Sequence, residues 1–207
     1  MAGIQPQNGF VVNPYTVRYT DAAPATYGQG GEQLISLRGG KYAAAALRGQ
    51  VFCSTLIATL IRLFTIATPT FALLNPVGSG VNVELIRSDF CDIQAACVVN
   101  GLGIYFHTAV QAAAWSSLTV STPAPQNAFL GAASGKAIVY SSITQASNPK
   151  LQTLTGGWGA TTNTGLGVNR YDFDGHVIIP PGVGITICTT TAGSTNTGVL
   201  TWMEYAA

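Results

Sequence analysis

The fold is decided by the segment VIIPPGVGITICTTTAGSTNTGVLTWMEY at residues 177–205. It divides into strand-like runs at Val177–Ile179, Ile185–Thr191 and Val199–Tyr205. A Pro-Pro-Gly turn separates the first two runs, because prolines end strand pairing and glycine permits a positive φ angle. A polar hairpin loop over Ala192–Gly198 separates the last two. Short strands alternating with turn signals predict an all-β domain.

The last of these runs carries few polar residues on either face. Successive side chains of a strand point to opposite faces of the sheet. A strand that is apolar on both faces is covered on both. In a β-sandwich the core covers one face, and we expect another subunit to cover the second. The predicted subunit interface therefore consists of Val199, Thr201, Trp202, Met203 and Tyr205.

The chain upstream of this segment repeats the same pattern. Further strand-like runs lie at Val51–Leu60, Thr70–Leu74, Val81–Phe90, Cys97–His107 and Ala137–Ile143. No long helical period interrupts them, which argues against parallel βαβ units and helical repeats. The apolar stretch 51–74 contains Arg62 and Pro69, so two strands explain it better than a membrane span. We predict a single jelly-roll β-sandwich over residues 32–207.

Residues 1–31 differ from the rest of the chain. They contain Pro6, Pro14 and Pro24, which fix extended backbone and prevent regular pairing. They also hold more aromatic and β-branched residues than a free tail would tolerate. We predict an extended N-terminal arm that docks on a neighbouring subunit through Phe10, Val12, Tyr15, Tyr19 and Tyr27.

Low charge is the most informative feature of the composition. Charged residues make up 8% of the 207 residues, whereas soluble domains usually carry about 25%. With a net charge of +1, a free monomer has little colloidal repulsion, so we expect much of the surface to be buried against other subunits. The nine basic residues are scattered, and their closest grouping is Arg38, Lys41 and Arg48. Nucleic-acid binding needs clustered basic residues, so no nucleic-acid partner is predicted.

The cysteines Cys53, Cys91, Cys97 and Cys188 show no C-x-x-C spacing. That spacing marks zinc sites and redox motifs, so we predict buried free thiols, with a Cys91–Cys97 disulfide left open.

The densest polar motif is Asp172-Phe173-Asp174-Gly175-His176. If it were extended, Asp172, Asp174 and His176 would share one face and could bind a divalent ion or act in a hydrolase. Asp-Gly is also a very common turn dipeptide, and a structural turn is the favoured interpretation. We predict no catalytic residues, no metal and no cofactor.

Two motifs resemble segments of tailed-bacteriophage virion proteins. The first is FALLNPVGSGVNVELIR at 71–87, a strand, an Asn-Pro-x-Gly-Ser-Gly turn and a strand. The second is DFDGHVIIPPG at 172–182, followed by two strands and Trp-Met-Glu at 202–204. The resemblance covers about residues 50–205 and implies a jelly-roll domain, often trimeric, that decorates a capsid or forms part of a fibre or spike. It implies no catalytic residues.

These observations favour a non-enzymatic structural protein on the surface of a phage particle. The expected form is a homotrimeric head decoration, or cement, protein whose partners are its own copies and the major capsid protein or other virion proteins. The alternative is a receptor-binding or structural module of a tail fibre or spike, which predicts exposed Trp158 and Tyr171 around a shallow sugar pocket. No membrane partner is expected.

Overall fold

The structure is a computed structural model that describes residues 26–27, 33–34, 42–66, 68–93, 99–117, 125–131, 133–141, 143–145, 147–159 and 168–207. Two compact units are distinguished, Met1–Ala44 and Ala45–Ala207. The first contains a two-stranded antiparallel ribbon made of β1 (Thr26–Tyr27) and β2 (Gln33–Leu34). The sequence predicts an arm that ends at residue 31. The first unit continues to Ala44 and therefore also includes β2. Residues 1–25, which hold most of the predicted docking side chains, lie outside the described residues.

The remaining described elements are two short α-helices, a 3₁₀ helix and eleven strands. They are α1 (Ala43–Leu47), β3 (Val51–Ile61), β4 (Ala72–Leu74), β5 (Val81–Asp92), β6 (Asn100–His107), α2 (Ala109–Ala113), the 3₁₀ helix (Ala114–Ser117), β7 (Gln126–Asn127), β8 (Ile138–Tyr140), β9 (Lys150–Trp158), β10 (Val168–Asp172), β11 (Ile178–Ile179), β12 (Gly184–Thr189) and β13 (Ser194–Ala206).

These eleven strands form two antiparallel sheets. The first sheet has the order β10-β5-β13-β3-β7, with β11 also paired to β5. The second has the order β8-β4-β12-β6-β9. Side chains from both sheets meet in one hydrophobic core, including Phe52, Leu85, Ile104, Ile187 and Trp202. Two sheets that share one core form a β-sandwich, and the predicted all-β fold is confirmed.

The strand order is that of a jelly roll. The eight principal strands, in chain order, are β3, β4, β5, β6, β9, β10, β12 and β13. The first pairs with the last (β3 with β13) and the second with the seventh (β4 with β12). The third pairs with the sixth (β5 with β10) and the fourth with the fifth (β6 with β9). A long antiparallel hairpin rolled up across two sheets gives these four nested pairs, which is the arrangement of two Greek keys in a jelly roll.

Some predicted boundaries were wrong. The polar residues Ser194–Gly198 lie in β13 rather than in a hairpin loop. The Gly, Thr and Asn content of Gly156–Gly167 predicts a loop after a strand at Leu151–Leu154, whereas β9 continues to Trp158. Strand β10 was not predicted at all. In β13, the buried Asn196 donates from Nδ2 to the Ser194 hydroxyl at 2.7 Å, so these polar side chains satisfy one another inside a strand. Their composition is typical of a loop, and only pairing with β3 and β5 makes them a strand.

Part of the outer face of the second sheet, over β8, β4 and β12, is covered by the chain itself. After β6, α2 and the 3₁₀ helix place Trp115 on this face, in a small cluster with Leu74, Ala112, Tyr140 and Ile143. Trp115 lies directly over Gly184, where an added Cβ would stand 2.3 Å from the indole ring, so only glycine permits this approach. As a result, two side chains that face outward, His107 of β6 and Thr186 of β12, are fully buried.

Candidate assembly surface

The outer face of the first sheet is the candidate functional surface. At its centre, β13 presents Val199, Thr201, Met203 and Tyr205, all half-buried within the subunit. They alternate with Leu200 and Trp202, both 0% exposed, which point into the core. On the second sheet, α2 and the 3₁₀ helix pack over β4 and β12, whereas Leu151 and Leu154 of β9 are 49% and 51% exposed.

Trp202 does not belong to this surface. Its side chain is buried in the core, its ring stacks on Phe52 at 6.3 Å, and its indole N–H donates to Glu204 Oε1 at 3.2 Å. The alternation of a β-strand places it opposite to Val199, Thr201, Met203 and Tyr205. We therefore remove Trp202 from the predicted subunit interface and keep the other four residues.

Strand pairing arranges the outer side chains in rows across the sheet. Moving along the strands, successive rows are Ile178–Glu84–Met203–Val51, then Asp172–Arg87–Thr201–Cys53, then Arg170–Asp89–Val199–Thr55. The β13 and β3 half of these rows contains no charged residue. The β10 and β5 half contains five. The surface is therefore divided into an uncharged half and a charged half.

Four of these five charges, all except Glu84, neutralise one another within the subunit. Arg170 Nε contacts Asp89 Oδ1 at 2.7 Å, and Arg87 Nε lies 3.9 Å from Asp89 Oδ2 and 3.5 Å from Asp172 Oδ1. These four residues, which we name the charge quartet, alternate in sign around a square. Hydrogen bonding to Asp89 raises the pKa of Arg170, so its guanidinium stays charged. A neutral quartet is cheaper to bury than four isolated charges.

Two thiols lie on the same surface. Cys53 and Cys91 are half-buried and unpaired, and each faces β13, opposite Thr201 and Thr197 respectively. They depart from the prediction of buried thiols because their strands turn these positions outward. Cys188 is buried, and burial raises the pKa of its thiol to about 11. Cys97 lies outside the described residues.

The Asp172–His176 segment forms a turn, as favoured. Asp174 has φ +49° and Gly175 has φ +83°, so the segment is not extended and its polar side chains do not share a face. Asp172 points to Arg87 on the outer face, while His176 Nε2 lies 3.4 Å from the Tyr171 hydroxyl. Within the described ranges, no three His, Cys, Asp or Glu side chains are grouped as metal ligands. The arrangement does not assemble the hydrolase site.

The aromatic side chains considered for sugar stacking pack internally. Trp115 is fully buried, and Trp158 and Tyr171 are half-buried against the main core. Tyr171 lies edge-to-face with Phe173 at 5.1 Å. Trp158 and Tyr171 therefore do not form the exposed pair that a sugar pocket in a receptor-binding module would need.

Sequence reasoning missed the residues that fix the ends of the sandwich. Asn75 is 0% exposed and donates from Nδ2 to the carbonyls of Val81 and Ile179 at 2.8 and 2.9 Å. Glu204 is also buried, and its carboxylate accepts the N–H groups of Lys136 and Ala137 at 2.6 and 3.0 Å. A polar residue in an apolar strand, as Glu204 is, was the available signal, because buried polar groups need partners.

Helices long and apolar enough to cross a bilayer do not occur in the part of the chain that the structure describes. Comparison of the chain with protein-family models, curated proteins and solved structures gives no match.

Proposed function

We propose that this chain is a structural subunit of a virus particle, most specifically a homotrimeric decoration protein on the capsid of a tailed bacteriophage. It acts without catalysis, by burying its surface against sister subunits and the capsid shell. The N-terminal arm provides an additional contact to a neighbouring shell subunit. Fold alone does not assign function, so the proposal depends on the surface.

The observation that carries the proposal is the contrast between the two outer sheet faces. The chain's own helices cover the β4 and β12 part of the second sheet, while the centre of the first sheet presents an uncharged half and a neutral quartet. Strands β3, β5 and β13, with β10 and β11 beside them, make a face of roughly 600 Å² in projection. A stable interface buries roughly 800 Å² per partner, which is the same order. A face of this size and chemistry suits a permanent contact.

The low charge of the whole chain supports the same conclusion. Exposed apolar side chains such as Ile57 and Val168 border the surface, with 79% and 64% of their area exposed. Apolar area removed from water contributes about 25 cal/mol per Å² before ordering costs are subtracted. Burial of this apolar area in an assembly would therefore favour association of the subunits.

Native mass spectrometry at micromolar concentration tests the proposal, with a trimer as the expected mass. The substitution Thr201→Arg places an unpaired charge in the centre of the surface, and we expect association to weaken at least about 100-fold. The matched control is Leu154→Arg, a 51% exposed position on the second sheet, which should leave the trimer intact. A wild-type chain that stays monomeric would sink the proposal.

Thiol labelling gives an independent measurement. In a Cys97→Ser background, Cys53 and Cys91 should react with an alkylating reagent in the Thr201→Arg monomer and be protected in the trimer. Cys188 is buried in both states and serves as the internal negative control. Equal labelling of Cys53 and Cys91 in monomer and trimer would place the subunit contact elsewhere.

The location on a particle needs a different experiment. We expect an image reconstruction of the virion to place the jelly roll on the capsid exterior, with the first sheet facing sister subunits. Density for this chain at the tail would favour the fibre or spike alternative instead.

A further inference from the structure

A cleft of about 280 Å³ lies between the second sheet and the connection that joins β10 to β12. Phe106 and Ile185 of the second sheet, together with Val177 and Ile179 of the connection, supply its apolar walls. Two polar side chains, Gln152 and His176, complete the lining. None of the lining residues carries a carboxylate, ammonium or guanidinium group. Ligand pockets are typically apolar with a few placed polar groups, and this volume is below that of a drug-sized site.

The two polar groups are positioned by the fold. Gln152 occupies an irregularity in the pairing of β9 with β6, where Ile104 pairs with Thr153 but Tyr105 pairs with Leu151. A bulge of this kind re-aims a side chain. The His176 ring contacts Tyr171 and Phe173 edge-on or tilted, with ring centres 5.9 and 5.8 Å away. A carboxamide and an imidazole each offer a donor and an acceptor.

The wall formed by the connection is held in place before any ligand binds. The Asn75 side chain donates to the Ile179 carbonyl at 2.9 Å, and the Val183 N–H donates to the Pro180 carbonyl at 3.2 Å. Pro180 and Pro181 restrict the backbone further. A preformed site loses little conformational entropy on binding.

We propose that this cleft binds one tyrosyl side chain from the N-terminal arm of a second copy of the chain. The volume admits a single aromatic ring, since a cavity of about 150 Å³ already holds benzene, and the uncharged lining suits an uncharged group. A phenol hydroxyl both donates and accepts, which matches Gln152 and His176. A phenylalanine ring would displace water from Gln152 and His176 without replacing the hydrogen bonds that the water makes. We therefore expect tyrosine to bind more tightly than phenylalanine.

The arm is a suitable source for this side chain. Residues 1–25 lie outside the described residues and carry Phe10, Tyr15 and Tyr19 but only two charges, Arg18 and Asp21. Fully extended, 25 residues reach at most about 85 Å, enough to contact a neighbouring subunit. The inference rests on the proposed function, because the neighbouring subunit is the assembly partner.

Histidine-selective NMR of the full-length Thr201→Arg chain tests the cleft directly, because in this monomer no second copy fills the cleft. The chain has two histidines, and His107 is 1% exposed and points to the opposite face of the second sheet, so it is an internal control. Titration with N-acetyl-tyrosinamide should shift the His176 resonances saturably and leave those of His107 unchanged. N-acetyl-phenylalaninamide should bind about 10-fold more weakly. Gln152→Ala should remove most of this difference. An unshifted His176, or equal binding of both probes to the Thr201→Arg chain, would overturn the proposal.

A second titration tests the arm. A peptide of residues 8–20 should bind more tightly than the single-residue probe, and replacing Tyr15 and Tyr19 with Phe should weaken it. Tyrosinamide binding without a tighter peptide would also overturn the proposal, because the arm would not be the source. Native mass spectrometry of the wild-type chain separates the two hypotheses: a wild-type trimer whose Thr201→Arg monomer binds no tyrosyl probe contradicts only the cleft, and tyrosyl binding by a wild-type chain that stays monomeric contradicts only the trimer.

Discussion

The carbonyl of Asn75 accepts a hydrogen bond of 2.7 Å from the N–H of Gly182, and this bond joins two turns that lie more than a hundred residues apart. The Asn75 N–H in turn donates to the Val183 carbonyl at 3.0 Å. Gly182 has φ +86°, a conformation that favours glycine. The Asn-Pro turn and the Pro-Pro-Gly turn are therefore one structural junction.

Loss of the Asn75 side chain should destabilise the whole sandwich. In Asn75→Ala the carbonyls of Val81 and Ile179 lose their donor, and the Ser79 hydroxyl, 2.6 Å from Asn75 Oδ1, loses its acceptor. Buried groups left without partners cost about 1–3 kcal/mol each, so we expect a loss of about 3 kcal/mol. Chemical denaturation measures it. Asn148→Ala, at an exposed position, is the control, and equal midpoints for the two variants would contradict the prediction.

Glu204 should stabilise the fold through the two acceptor oxygens of its carboxylate, and a neutral side chain of the same size should not replace it. Both of its oxygens accept backbone N–H groups, from Lys136 and Ala137, and a carboxamide cannot accept through its nitrogen. We expect Glu204→Gln to lower the free energy of unfolding by about 2 kcal/mol. Lys136→Ala keeps the backbone donor and should have little effect. A large loss in Lys136→Ala would show that the ammonium group matters instead.

His107 should make stability depend on pH in the acid range. Burial lowers its pKa from 6.5 to about 4, since the ring is enclosed by Trp115, at 4.5 Å, and Thr186. Cys188 and Tyr105, which lie on the same face of this sheet, have raised pKa values and stay neutral in this range. Because the unfolded chain takes up the proton first, stability falls as pH drops from 6.5 to 4, by about 3 kcal/mol.

The measurement is denaturation at a series of pH values. The substitution His107→Gln should remove this part of the slope, and His176→Gln, the matched exposed histidine, should keep it. Identical slopes in the wild type and His107→Gln would refute the assignment. Trp115 fluorescence reports the same event, because its ring lies against the imidazole.

The charge quartet should matter for association and hardly at all for folding. Asp89→Asn removes the partner shared by Arg87 and Arg170. Exposed ion pairs contribute about 0–1 kcal/mol, so the free energy of unfolding of the monomer should change by less than that. In the proposed trimer the two arginines would be buried with one partner fewer, and a broken buried pair costs about 3–5 kcal/mol. Dissociation constants and denaturation curves for the same variant test both parts, and a purely folding effect would contradict the prediction.

Alternation along the chain was enough to predict the main strands of the sandwich. Val81–Phe90 and Val199–Tyr205 were placed within strands β5 and β13 because their side chains alternate or are apolar throughout. Strand β10 escaped prediction, since Val168–Asp172 is short, polar and exposed on alternate residues. Its identity as a strand comes from pairing with β5, which the local sequence does not encode.

The candidate surface could be predicted only in part. Four of the five predicted interface residues lie on the outer face, because a period of two separates them from the core residues. Which of the two faces points outward depends on the second sheet, and this placed Trp202 in the core. The quartet was not predicted at all, since Arg87 and Asp172 are far apart along the chain and meet only through strand pairing.

The sequence by itself determined the fold class, the strand-turn succession and the shortage of charge, because these follow from local periodicity, proline and glycine positions, and composition. Only the tertiary structure decided which sheet is covered by the chain's own helices and which is open. It also decided that Asn75 and Gly182 meet, and that Glu204 binds the backbone at Lys136 and Ala137. Those outcomes depend on contacts between distant segments, whose cost in chain entropy is repaid only when the whole sandwich forms.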